Sequence, residues 1–167
     1  MNFQTIKPVE SSKTYLDLAF SKARNKVIAK TLTGNTDQRV KTREAMKIDI
    51  VKEDLVQRLN KILSEFPSFD GLPQFYHQLV KLTLDYSDVK KSLAAMNWAI
   101  NQVRKFQKDY VRRVVKSYNA QKAREYSKQF YGRISSIMKQ VDPQLKYLEY
   151  CRRIMKTYPD IKPVFTV

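Results

Sequence analysis

The sequence predicts an all-α fold, an elongated antiparallel helical bundle of about five to six helices, with an extended N-terminal arm and a strand-like C-terminal tail. Three observations carry this expectation. Glycine and proline number only 3 and 6 in 167 residues, so chain breaks are few and the segments between them long. Apolar residues recur at three- and four-residue spacings through several of those segments. The apolar content of 43% in a chain of this length is enough for one buried core.

Residues 1–10 read as the extended arm, because Pro8 and the placement of Phe3 and Ile6 do not fit a helix. Ser11 or Ser12 caps a first helix running to about Lys30, with Leu16, Phe20, Ala23 and Val27 facing inward. Thr31 to Thr36, containing Gly34 and Asn35, end it. A second helix runs from about Asp37 to Phe66 and is stopped by Pro67. Its seam is Ile48, Val51, Leu55, Leu59, Ile62 and Phe66. Residues 38–44 contain one apolar side chain, so the first two turns are expected to project past the bundle.

Pro67 to Leu72 form a tight link, and Pro73 is placed as the first residue of a short third helix ending near Tyr86. Leu72, Phe75, Leu79 and Leu82 are its expected inner edge. Ser87 caps a fourth helix to about Tyr118, roughly 45 Å long at 1.5 Å per residue. Its seam is heptad-like: Val89, Leu93, Met96, Ile100, Val103, Phe106, Tyr110 and Val114. A fifth helix from about Ala120 to Val141 turns Tyr126, Phe130, Ile134, Ile137 and Val141 inward. Asp142 then caps a sixth, with Pro143 first and Leu145, Leu148 and Met155 inside, ending before Pro159. Residues 11–160 are thus one helical domain. Val164 to Val167 (Val-Phe-Thr-Val) are strand-like, and a lone strand does not persist in water. Residues 161–167 therefore read as the start of a further, missing domain.

Charge is the functional signal. The chain carries 32 basic and 16 acidic residues, a formal charge of +16 with a pI near 9.9. Such a balance suits nucleic acid or an anionic membrane surface. It is also uneven. Residues 22–47 hold eight basic and two acidic residues, residues 48–100 six and seven, and residues 101–139 eleven and two. The richest stretch runs from Arg104 to Arg133 and interleaves six aromatics with its cations. At 100° per residue Val103, Phe106, Tyr110 and Val114 share one face, and Lys105, Lys108, Arg112 and Lys116 the opposite one. If the third helix merely crosses one end, the second and fourth helices run antiparallel. The end of helix one, the start of two, the end of four and the start of five then meet at one basic pole. The candidate contact residues are Arg39, Lys41, Arg43 and Lys47 on one side of that pole. On the other are Arg104, Lys105, Lys108, Arg112, Arg113, Lys116, Lys122, Arg124, Lys128 and Arg133. Cations of this kind neutralise phosphates, and Tyr118 and Tyr131 are placed to stack on unpaired bases.

Other chemistries lack their parts. His77 is the only histidine, so a His-based metal site or triad is excluded, and His77 reads as a helix-surface residue. Cys151, the only cysteine, excludes an internal disulfide, suits a reducing compartment and reads as a small core residue. Gly34, Gly71 and Gly132 are too scattered for a phosphate-cradling loop, and no G-x-x-x-x-G-K-[ST] occurs. Glu53 and Asp54 read as a solvated helix face, and Gly132 as a point of close helix approach. No run approaches the roughly 18 apolar residues of a membrane span, and the N-terminus lacks a signal-peptide core. No enzyme chemistry, cofactor or metal is expected in this chain, and a monomer is.

Three stretches in order carry a family resemblance. They are Phe66 to Ala99 (F-P-S-F-D-G-L-P-Q-F-Y-H-Q-L-V, then D-V-K-K-S-L-A-A-M-N-W-A), Phe130 to Leu148 (F-Y-G-R-I-S-S-I-M-K-Q-V-D-P-Q-L-K-Y-L) and Tyr158 to Val167 (Y-P-D-I-K-P-V-F-T-V). Together they resemble the N-terminal domain of the nucleolar GTP-binding protein family, Obg-related GTPases of large ribosomal subunit assembly. The resemblance implies a helical bundle that contacts ribosomal RNA and precedes a G domain holding GTP and Mg, with Val164 to Val167 as that domain's first strand. It implies Arg39, Lys41, Lys47 and Arg133 as RNA contacts. Glu44 and Ala45 depart from the bulky or basic residues of eukaryotic members. The short arm and lysine-rich style resemble archaeal members, which implies a cytoplasmic protein; a eukaryotic one would be nucleolar.

The expectation is an RNA-binding domain docking a GTPase onto ribosomal RNA of the pre-ribosomal large subunit, with its own G domain as a further partner. A protein-interaction scaffold whose basic surface meets an acidic assembly factor is the alternative. An anionic-membrane binder is a third, and it requires an exposed apolar stripe beside the lysines.

Overall fold

The computed structural model describes residues 3–28 and 31–160, and among these residues there are four long helices and one short one. They are α1 (Ser12–Ile28), α2 (Thr36–Glu65), α3 (Gln74–Thr83), α4 (Tyr86–Val115) and α5 (Ala120–Met155). Short 3₁₀ turns lie at Phe3–Thr5 and Phe69–Gly71. The strand-like tail and the start of a further domain expected at 161–167 lie outside the described residues, as does the expected end of the first helix near Lys30.

Side-chain pairs fix the antiparallel order. Gln107 of α4 donates to Asp49 of α2 (2.6 Å), and the Ala120 amide opening α5 donates to Asp37 at the start of α2 (3.0 Å). The Ser12 amide of α1 donates to Asp142 of α5 (2.9 Å), while Phe20 sits edge-on to Tyr131. The core is the seam read from the sequence, with Met138 added to it. Ile48, Val51, Leu55 and Leu59 of α2, Met96, Ile100 and Val103 of α4, and Phe130, Ile134, Met138 and Leu145 of α5 are all fully buried. At about 1.5–3 kcal/mol for each large apolar side chain, this seam is the main stabilising contribution.

Several expectations need correction. The arm contains one 3₁₀ turn rather than being wholly extended, and Phe3, Ile6 and Val9 are buried. It is also pinned by hydrogen bonds: the Lys7 amide donates to Glu65 (3.0 Å), the Val9 amide to Glu149 (3.3 Å) and the Gln4 side chain to the Lys156 carbonyl (2.8 Å). The start of α2 does not simply project, because Val40 and Glu44 are buried there. Asp85, not Ser87, caps α4 and accepts from the Asp88 amide.

α3 is rotated from its expected face. Its buried line is Leu72, Tyr76, Val80 and Leu84, leaving Phe75 at 46% and Leu82 at 83% exposure. Tyr76 determines the choice, since its hydroxyl donates to the Pro159 carbonyl (2.8 Å) and its ring packs against Phe3.

Among the described residues there is no sixth helix. α5 runs unbroken through Pro143, which together with Lys139, whose carbonyl loses its partner, is exposed to water. Met138, Val141, Leu145 and Leu148 keep one buried register across the proline. Ser11 caps α1, accepting from the Thr14 amide (3.2 Å), and Asp142 accepts from the first amide of that helix across the bundle instead of starting a helix of its own. Gly132 provides no close approach: a Cβ there meets no atom within 4 Å. Asp54 is buried at 3% exposure, with Arg58 at 2.7 Å and Lys22 at 3.4 Å, so it is not a solvated partner of Glu53. Cys151 is fully buried, and burial pushes its thiol up to about 11.

Two predictions follow from these positions. Gly132→Ala is expected to raise stability by about 0.5–1 kcal/mol in urea unfolding, because it adds helix propensity without a clash. The Ser12 amide holds the Asp142 carboxyl below its ordinary range. That stabilisation is complete above the unfolded carboxyl pKa, about 3.9, and is lost as pH falls through the lowered folded value. Asp142→Ala is therefore expected to cost about 1 kcal/mol at neutral pH and to flatten the acid limb of a Tm-against-pH profile.

Candidate nucleic-acid interface

The topology brings four helix termini to one tip: the end of α1, the start of α2, the end of α4 and the start of α5. Each local turn is specified by its own residues. Gly34 sits at φ 104°, the left-handed region that favours glycine, where a Cβ would stand 2.5 Å from Gln38 Oε1. That Gln38 oxygen accepts from the Asn35 amide (3.2 Å), while Asn35 Oδ1 accepts from the Gln38 amide (2.9 Å), closing a reciprocal cap on α2. Opposite, Asn119 caps α5 by accepting from the Lys122 amide (2.9 Å). Asp37 then joins the two turns through Ala120.

The candidate cations fall into three groups. Arg112, Arg113, Lys116 and Lys122 surround one hollow at the α4–α5 turn, together with Tyr118 and Tyr126. Arg43 and Lys47 line a second hollow with Arg24 and Ile28 on the α1–α2 side. Arg104, Lys105, Lys108, Arg124, Lys128 and Arg133 are exposed along the flanks of α4 and α5. Arg104 lies about 16 Å below the end of α4, and Arg133 about 20 Å below the start of α5, at 1.5 Å per residue. Arg39 is exposed at the first turn of α2, and Lys41 is half-buried just beyond it. The basic surface is thus a tip continued down two flanks, wider than the pole read from sequence.

Acids at the tip divide the cations into paired and unpaired. Arg113 pairs with Asp109 (3.2 Å) and lies over the Tyr110 ring (5.0 Å). Lys122 pairs with Glu125 (3.3 Å) and lies over Tyr126 (5.5 Å). Lys47 lies 3.4 Å from the buried Glu44. Among the described residues no ion pair engages Arg112, Lys116, Arg43 or Arg24. Arg24 was missed in the sequence; its signal is the Phe20–Ala23–Val27 spacing, which places it beside the inner face of α1.

The two candidate stacking tyrosines differ. Tyr118 is 96% exposed. Tyr131 is half-buried with its ring 4.8 Å from that of Phe20, so it is not offered to a base. Burial, reinforced by the negative charge of Glu44, pushes its hydroxyl up to about 12. His77 is half-buried with its ring 5.4 Å from that of Tyr86 rather than lying on the surface. Among the described residues no group of His, Cys, Asp or Glu can hold a metal ion, and no helix is long and apolar enough to cross a membrane.

Comparison with known proteins adds to this geometry. Residues 3–162 match the family profile of the NOG1 N-terminal helical domain. The chain is 32% identical over 124 residues to an uncharacterized protein of Methanocaldococcus jannaschii, covering 74% of this chain and 35% of that protein. Over 162 residues, 97% of the chain, it is 28% identical to nucleolar GTP-binding protein 1 of Drosophila melanogaster and 26% identical to the probable nucleolar GTP-binding protein 1 of Dictyostelium discoideum. It spans 25% and 24% of those two proteins, about a quarter of their length.

The Asp37 contact is the testable element of this tip. Asp37→Ala is expected to lower stability by about 0.5 kcal/mol, the low end for a solvent-exposed hydrogen bond. Amide exchange at Ala120 is expected to quicken, whereas Asp37→Asn, which keeps an acceptor, should leave it slow.

Proposed function

This chain belongs to the NOG1 N-terminal helical domain family, and from that membership we propose that it docks a GTPase of large ribosomal subunit assembly onto ribosomal RNA. The relatives named as nucleolar GTP-binding proteins are about four times longer than the stretch they share with it. GTP and Mg belong, on this reading, to a G domain elsewhere in the full-length protein, which is the GTPase. The bundle itself supplies affinity and position on the pre-ribosomal large subunit. The protein works in the nucleolus if its source is eukaryotic and in the cytoplasm if archaeal.

One observation carries the reading. Arg112 and Lys116 at the end of α4 and Arg24 and Arg43 from α1 and α2 gather at one end with no carboxylate partner among the described residues, while Asp109, Glu125 and Glu44 are engaged by other cations and Asp37 by the Ala120 amide. Charges left in this state are satisfied by an external polyanion. Phosphate contacts release condensed counterions, so affinity falls steeply with salt. The sequence carries no helix-turn-helix turn, zinc spacing or RRM aromatic signature, which favours recognition of folded RNA by backbone and shape over duplex sequence. Ile28 and Val115 are exposed at this tip, but as single side chains on different helices. A membrane-lying helix presents a continuous stripe instead.

The test is a salt titration with ribosomal RNA fragments. Arg112→Glu, Arg113→Glu and Lys116→Glu together are expected to weaken binding at least tenfold and to flatten the salt slope by about one unit for each lost phosphate contact. All three side chains are exposed, so the helical fold should hold, with Tm lowered only modestly by loss of the Arg113–Asp109 pair and by acids at the end of α4. Unchanged RNA affinity would overturn the proposal. Tight binding to an acidic assembly factor or to anionic vesicles, with little RNA binding at moderate salt, would favour the scaffold or the membrane reading.

A further inference from the structure

We infer that the α4–α5 turn is a binding site for a single unpaired nucleotide, with its base stacked on Tyr118 and its backbone phosphates held by Arg112 and Lys116. This deepens the RNA-docking reading and rests on it. The first support is the ring itself. Tyr118 is the most exposed of the large apolar or aromatic side chains noted at the surface, at 96%. An aromatic ring in that state gains nothing from the fold.

The second support is that the backbone presenting this ring is fixed. On one side Ser117 is buried, with its hydroxyl donating to the Val114 carbonyl (2.6 Å) and its amide to the same oxygen (3.2 Å). On the other side Asn119 is held as the cap of α5. Ala120 is held next to it by Asp37. A residue between two such anchors is carried outward on a rigid turn rather than on a loose loop. A stacking platform held this way loses less conformational entropy on binding than one on a mobile loop.

The third support is the sorting of charge around the ring. The hollow beside Tyr118 is lined by Arg112, Arg113, Lys116 and Lys122. Arg113 and Lys122 are engaged by Asp109 and Glu125 and by neighbouring tyrosine faces. Arg112 and Lys116, one helical turn apart on α4, are not paired among the described residues. The remaining lining of the hollow is Ser117 and the Tyr126 ring. An apolar platform flanked by two unpaired cations matches a nucleotide whose base has left its stack. A continuous duplex satisfies the cations but hides its base faces, so it cannot use the ring.

The experiment compares two RNAs of equal charge at one salt concentration: a hairpin with 2-aminopurine in its loop, and a blunt duplex. Fluorescence anisotropy gives affinity, and 2-aminopurine intensity reports stacking. Tyr118→Ala is expected to weaken hairpin binding about tenfold and to abolish the intensity change. It should leave duplex affinity within twofold and the salt slope unaltered, because no charge is lost. Tyr118→Phe should behave as the wild type. Equal weakening on both RNAs, or no change on either, overturns the stacking site while leaving RNA docking intact. Absence of salt-dependent binding by the wild-type chain to both RNAs would overturn docking and the site together. Tyr118 packs on nothing, so loss of fold does not confuse the result.

Discussion

The apolar seam shared by α2, α4 and α5 is the constraint on which the basic tip depends. Exposed cations about 8 Å apart repel by roughly 0.5 kcal/mol in water, and salt reduces this further. A single buried Leu or Ile contributes about 1.5–3 kcal/mol. With eleven fully buried seam residues on three helices, packing prevails over repulsion by a wide margin. The bundle can therefore hold like charges together without specific compensation, and it still leaves some of them unpaired. The core sets the position of the charges at the tip.

Polar contacts then fix the register that the seam alone leaves loosely specified. Asp37 to Ala120, Asp49 to Gln107 and Asp142 to Ser12 each join two different helices, the first at the tip and the other two along the length of the bundle. Buried Asp54 adds a contact between α1 and α2 through Lys22 while accepting from Arg58 on its own helix. In each case an acid meets an amide, an amide side chain or a basic residue away from the flank cations. Acids engaged in this way are unavailable to neutralise the basic surface. The arrangement of carboxylates thus supports both the fold and the excess charge.

Long seams were legible because only one face of a thirty-residue helix satisfies a three- and four-residue spacing. Short or doubly marked segments were not. α3 offers Phe75, Leu79 and Leu82 on one face and Leu72, Tyr76 and Val80 on another, and either satisfies helical periodicity. What separates them is distant: Phe3 and Pro159, more than seventy residues away in the chain, meet Tyr76. Asp142–Pro143 reads locally as a cap followed by a first helical residue, yet the acid serves Ser12 and the proline lies on the wet side of an unbroken helix. Asp54 looks like any helix-surface acid until α1 covers it. The basic tip was readable because it needs only helix order and charge position. Which of its cations are already paired required coordinates.

That division bears on how the proposed docking would work. A uniform coat of lysines would bind any polyanion through counterion release alone. Here Arg113 and Lys122 are held by their own acids and rings, so the tip cations left for an external phosphate are few. Affinity from the exposed flank cations would be tolerant of sequence and shape, because they reach many phosphate arrangements. Selectivity would come from the tip, where a rigid turn, an unburied ring and two unpaired cations restrict what can dock. On the proposed reading the broad basic surface would bring the bundle to RNA, and the tip would decide where it stays.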